Sequence, residues 1–157
     1  MNHALVLAGC LLAAAAAQAG QPGLPPEVKD TQNPLDKPLP PAEALKKLTL
    51  PEGFRATLFA GEPDVMQPVA FTFDDHGRLW VLECFSYPEW KTQSDRIMIY
   101  TDRDGDGRFD ERNVFYDKGQ RFFGLELGFG GVWVTAAPNL LFIPDQNGDD
   151  VPDGEPQ

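Results

Sequence analysis

Cysteine and histidine are nearly missing from this chain: 157 residues hold two of each, Cys10 and Cys84, His3 and His76. That scarcity rules out a disulfide framework. There is no Cys-x-x-Cys-His haem attachment, no Ser/His/Asp set and no phosphate loop. Basic residues are also few, 13 Lys and Arg against 24 Asp and Glu, for a net charge of −11. Such a surface repels polyanions, so nucleic acid and anionic membrane are poor partners for it. Long apolar runs are limited to Ala4–Ala17, too short to span a bilayer.

That run, closed by Ala17-Gln18-Ala19 before Gly20, reads as a secretory signal over residues 1–19. The protein is therefore expected to be exported, to a periplasmic or extracellular location. A lipid anchor at Cys10, in Leu7-Ala8-Gly9-Cys10, is the lesser alternative. Loss of the signal leaves Cys84 alone, either a buried thiol acting as a small hydrophobe or a residue whose partner lies past Gln157. Residues 20–41 hold seven prolines and read as a poorly ordered leader. Ala42–Leu48 reads as a short helix with Pro41 at its start.

What the chain does have is 17 aromatics, 15 Gly and 15 Pro, the composition of short strands joined by tight turns. Period-two or short apolar runs predict strands at Phe54–Ala60, Val69–Phe73, Leu79–Glu83, Arg96–Thr101, Asn113–Tyr116, Gly124–Phe129, Val132–Thr135 and Asn139–Ile143. Turn signals such as Asp74-Asp75-His76-Gly77 and Gly130-Gly131 separate them. The fold class is all-β.

Residues 78–110 repeat in residues 131–153. Trp80 aligns with Trp133, Ile99 with Phe142, and Asp102, Asp104, Asp106 and Asp110 with Asp145, Asn147, Asp149 and Asp153. The first copy carries an insertion around Phe85–Ser94. A period of this size is that of a β-propeller blade, so residues 42–157 are expected to form about one and a half to two blades of a larger propeller, Trp80 and Trp133 packing between blades. The remaining blades of the parent chain would then be its structural partners.

Asp102-x-Asp104-x-Asp106-Gly107-x-x-Asp110 is the sharpest motif. A hard divalent cation needs six to eight oxygens, and alternate carboxylates on a tight loop, joined by the carbonyl of Arg108, supply them. Calcium is the expected ion of an exported protein. Asn113 stands where an EF-hand loop has its bidentate Glu, and the flanks are strands, so this is not an EF-hand. Asp145, Asn147, Asp149 and Asp153 form the weaker second loop, with Asp150 in place of the glycine. Catalytic groups are otherwise scarce; Glu83 and Tyr87, at the end of a predicted strand, are candidates for a channel wall.

The combination of Leu50-Pro51-Glu52-Gly53-Phe54, Gln67-Pro68-Val69-Ala70-Phe71, Gly77-Arg78-Leu79-Trp80-Val81, the Asp102–Gly107 loop and Gly128–Val134 resembles the start of the membrane-bound dehydrogenase domain of planctomycetes and verrucomicrobia, similar to quinoprotein glucose/sorbosone dehydrogenases. The resemblance implies a β-propeller that oxidises a sugar or related alcohol at pyrroloquinoline quinone, with a haem c domain further along. No position here matches a catalytic histidine, so the base and most cofactor contacts would lie past Gln157. The competing expectations are a hydrolase or lactonase propeller and a calcium-stabilised binding module without chemistry.

Overall fold

A computed structural model describes Leu35 and residues 37–157. The predicted signal, Cys10 and most of the proline-rich leader lie outside the described residues. Residues 38–157 form one unit. It opens with α1 (Pro41–Leu45), where Pro40 is the N-cap and Pro41 supplies a fixed φ at the first turn. Lys46 and Glu43 pair across that turn at 2.7 Å.

The rest is all-β. Strands β1 (Pro68–Phe73), β2 (Leu79–Glu83), β3 (Asp95–Thr101) and β4 (Glu111–Gly119) make a four-stranded antiparallel meander. Strands β5 (Phe122–Leu127), β6 (Gly131–Ala136) and β7 (Asn139–Pro144) make a second, three-stranded one. Neither sheet closes on itself. At the free edge of β7, Phe142 and Gln157 exchange both backbone hydrogen bonds at 2.9 Å.

The two meanders repeat each other in detail. Trp80 faces Ile99 across β2–β3 as Trp133 faces Phe142 across β6–β7. Each first strand carries a register shift at the same place, between Pro68 and Ala70 and between Phe122 and Gly124. The extra residues of the first copy fall where the sequence puts them: residues 84–94 join β2 to β3, whereas residues 137–138 join β6 to β7.

Alternation on the strands decides what packs where. Trp80, Leu82, Ile97, Ile99 and Phe115 project from one face of the first sheet, which we call its front. They bury against the back of the second sheet, Leu125, Val132, Val134 and Ile143, with β5 lying on β1 and β2. The back of the first sheet carries Val81, Met98 and Tyr100. Strands β2 and β3 thus bury both faces, which is why they read as continuous apolar runs.

One predicted strand does not form. Residues 54–60 pair with no sheet edge, because Phe59, followed by Val65, lies across the back of the first sheet and covers Val81, Met98 and Tyr100. A covering segment cannot also lie edge to edge; its backbone is tied by the Phe54 N–H to the Pro51 carbonyl and by the Phe109 N–H to the Phe59 carbonyl. The Tyr100 hydroxyl fixes this cover by donating to the Asp64 carbonyl at 2.8 Å. Burial, with the Glu83 charge next in weight, pushes the Tyr100 phenol up to about 12.

Two outcomes follow for urea denaturation. Ile99→Ala, in the fully buried inter-sheet layer, should cost about 2–5 kcal/mol. Phe54→Ala, in the exposed unpaired segment, should stay within about 0.5 kcal/mol, and a larger loss would mean that this segment pairs as a strand.

Candidate functional site

The loop between β3 and β4 is held by its own carboxylates. Asp102 accepts the Gly105 N–H at 2.8 Å and the Gly107 N–H at 2.9 Å, Asp104 accepts from Asp106, and Asp106 accepts from Arg108 at 2.8 Å. Asp110 closes the loop by accepting from the Arg103 N–H at 2.6 Å. Glycine takes the left-handed backbone of position 107, φ +87°, without the strain that a side chain would bring there.

These turns leave carboxylate oxygens of Asp102, Asp104 and Asp106 within 4.8 Å of one another. Among the described residues this is the one grouping of three or more acidic, His or Cys side chains close enough to share an ion. Arg103 does not neutralise it, because its guanidinium turns outward to Glu111 and holds that carboxyl below its usual range. Three anionic oxygens converging without an internal cation fit a hard divalent ion, with the Arg108 carbonyl and Asp110 as the remaining residues expected from the sequence.

The second loop has the same hydrogen-bond plan and a different occupation. Asp145 accepts from Gly148 and Asp149 through one oxygen and from Asp150 through the other; Asp149 accepts from Val151, and Asp153 accepts from Gln146. Asn147 turns its amide to Asp149, donating at 3.0 Å. Asp150 takes the left-handed backbone of Gly107, with φ +65°, and sends its carboxylate to Arg78. Arg78 Nη1 and Nη2 donate to Asp150 at 2.5 and 2.9 Å, while Nε donates to Asp74 at 2.7 Å. Asp74 also accepts the Trp80 indole N–H at 3.0 Å. Sequence reading assigned no role to Arg78, Asp74 or Asp150; the signal available was the pairing of a missing glycine with an extra carboxylate.

This cluster ties the second loop to the β1–β2 turn. The bidentate hold of Asp150, with Asp74 behind it, raises the Arg78 pKa beyond its ordinary value. For Asp74 burial pushes upward, but the hydrogen bonds from Trp80 and from the Arg78 backbone and side chain outweigh it, and its pKa falls below 3.8. The second sheet lacks the equivalents: Gly128 and Gly131 make the backbone bond that Asp74 and Arg78 make, and the Trp133 indole N–H is buried without an acceptor. A side chain at Gly131 would strike the Ile143 carbonyl at 2.4 Å and the Phe142 ring at 2.7 Å.

The channel-wall candidates separate. Glu83 is fully buried and spends its carboxylate on the Met66 N–H at 2.6 Å and on Arg96 Nε, the work of a structural post. Tyr87 is exposed, edge-on to Trp90, and lines an open cavity of about 410 Å³ with Gln67, Pro68, Val69, Cys84, Trp90 and Phe123. Cys84 itself is buried and free, and burial together with the Asp95 charge pushes its thiol up. Buried Asp95 accepts from the Ser86 N–H and hydroxyl at 2.6 and 2.8 Å and from the Phe122 N–H at 3.0 Å, pinning the insertion to the start of β5. His76 is exposed beside Asp75 in the β1–β2 turn. Among the described residues no helix is long and apolar enough to cross a membrane.

Residues 40–156 match the family described as a domain of unknown function, DUF7133, and the chain belongs to that family. No curated protein and no solved structure matches it.

A double-mutant cycle on Arg78→Met and Asp150→Asn should give a coupling of about 1–2 kcal/mol, because the two side chains are only 22% and 23% exposed. Asp74 adds a pH dependence of known sign. Its depressed pKa stabilises the fold fully above the unfolded value near 3.8, and that contribution disappears as pH falls through the folded value. Urea midpoints measured down this range should therefore fall more steeply in the wild type than in Asp74→Asn.

Proposed function

We propose that this domain is a calcium-binding scaffold, two successive sectors of a β-propeller within an exported oxidoreductase of the quinoprotein sugar dehydrogenase type. The observation that carries the reading is the converging carboxylates of Asp102, Asp104 and Asp106 on a loop that recurs at the same place in the next sheet. Asp102, Asp104 and Asp106 would hold the ion, with the Arg108 carbonyl and Asp110 completing an oxygen shell. Bound there, calcium would supply charge neutralisation and loop rigidity, not chemistry. The backbone N–H bonds to Asp102, Asp104 and Asp106 already set the loop in its turns, so little ordering entropy would oppose binding.

In the second loop the same positions, Asp145, Asn147, Asp149 and Asp153, form the lesser site, since Asn147 is occupied with Asp149 and Asp150 with Arg78. The oxidation of a sugar or alcohol rests on the sequence resemblance. The cavity beside Tyr87 does not fit pyrroloquinoline quinone, whose carboxylates need cationic partners: no charged side chain lines it. No redox step is assigned to residues of this chain, and haem c would belong to another domain.

Calcium titrated into the protein should raise its melting temperature and give a binding isotherm in calorimetry. Asp104→Asn with Asp106→Asn should remove most of that shift, and Asp149→Asn should leave most of it. Equal shifts in wild type and in the first variant would place the ion elsewhere. Sugar oxidation by this chain alone, supplied with quinone and calcium, would overturn the scaffold reading.

A further inference from the structure

The cavity beside Tyr87 has no part in the calcium loop or in the Arg78 cluster. Gln67 and Val69 at the entry to β1, Cys84, Tyr87 and Trp90 of the insertion, and Phe123 of β5 line about 410 Å³, within the usual range of ligand pockets. Its walls come from both sheets and from the segment that joins β2 to β3, so it is built at their junction and depends on neither outer flank.

Three rings make most of the lining. Trp90 stands between Tyr87 and Phe123, with centroids 5.2 and 5.0 Å away and planes inclined by 75° and 56°. Rings at such angles make walls, where stacked rings would make a slab. The backbone is bent to hold them: Gln67 and Trp90 are two of the five non-glycine residues with left-handed φ among the described residues, at +46° and +57°. Such strain persists only where the surroundings enforce it, and it collects at ligand sites. Here the Trp90 N–H donates to the Ser86 carbonyl and the Gln120 amide donates to the Trp90 carbonyl, both at 2.6 Å.

Electrostatics selects among ligands. No charged side chain lines the cavity. Behind it Asp95 is fully buried, and its three donors, the Ser86 N–H and hydroxyl and the Phe122 N–H, are all uncharged. Among the described residues no Lys or Arg pairs with it. Its field reaches the wall, adding to burial in pushing the Cys84 thiol up. A cation is favoured there, an anion is refused, and a neutral sugar gains nothing from that charge. A primary ammonium would bring three N–H donors to a wall with few acceptors, whereas a fully methylated one brings none.

We propose that this cavity binds a quaternary ammonium group, with the Tyr87, Trp90 and Phe123 rings against its methyl groups and Asp95 supplying a negative field from behind. The reading rests neither on calcium nor on the oxidoreductase resemblance.

Calorimetric titration with choline and with its neutral carbon isostere, dimethylbutanol, tests this, with glucose as the sugar control. Choline should bind with a dissociation constant in the millimolar range, and the isostere at least about tenfold more weakly. Tyr87→Ala and Phe123→Ala, at positions 63% and 44% exposed, should keep wild-type circular dichroism and bind choline about three- to tenfold more weakly. Tyr87→Phe, which keeps the ring, should hold most of the affinity. Choline that does not bind at about 10 mM, choline and isostere that bind equally, glucose that binds more tightly than choline, or alanine variants that bind choline like the wild type would each overturn the proposal.

Discussion

The front of one antiparallel sheet against the back of the next is the contact on which the rest of the molecule depends. Trp80, Leu82, Ile97 and Ile99 lose their water only because Leu125, Val132 and Val134 lie over them. A meander of three or four strands has two faces and cannot bury both by itself. The first sheet solves this with a neighbour on its front and the segment of Phe59 and Val65 on its back. Among the described residues the second sheet has a neighbour on its back, while its front carries exposed Leu140 beside half-buried Trp133 and Phe142.

Polar groups then fix what the apolar layer leaves free. Hydrophobic contact is non-directional, so it resists separation more than sliding. Asp95, accepting from Ser86 and from the Phe122 N–H, sets where β5 begins, and Arg78, shared between Asp74 and Asp150, sets the second loop against the β1–β2 turn. Both are partly or fully withdrawn from water, where hydrogen-bond geometry is enforced more strongly than on an open surface.

Much of this architecture was legible in the chain. Seven of the eight predicted strands form, since alternation and turn residues are local signals, and the tryptophan and aspartate repeat foretold two equivalent sheets. The eighth, Phe54–Ala60, has a strand's apolar spacing but is used as a cover, a decision made by the distant Val81 and Tyr100 that no local window contains. The candidate site divides the same way. The convergence of Asp102, Asp104 and Asp106 follows from alternate spacing on one tight turn, within a few residues. The burial of Glu83 against Met66 and Arg96, and the reach of Arg78 to a carboxylate 72 positions away, depend on the fold itself.

The left-handed residue of the aspartate loop bears on how such repeats diverge. At Gly107 the position permits a turn and nothing more; at Asp150 the same backbone carries a hook into the neighbouring unit. Adhesive faces alone would let copies be shuffled in any order, since each offers much the same oily surface. A hook that closes on Arg78, itself held by Asp74 where the other copy has two glycines, gives the units an address, a fixed first and second place.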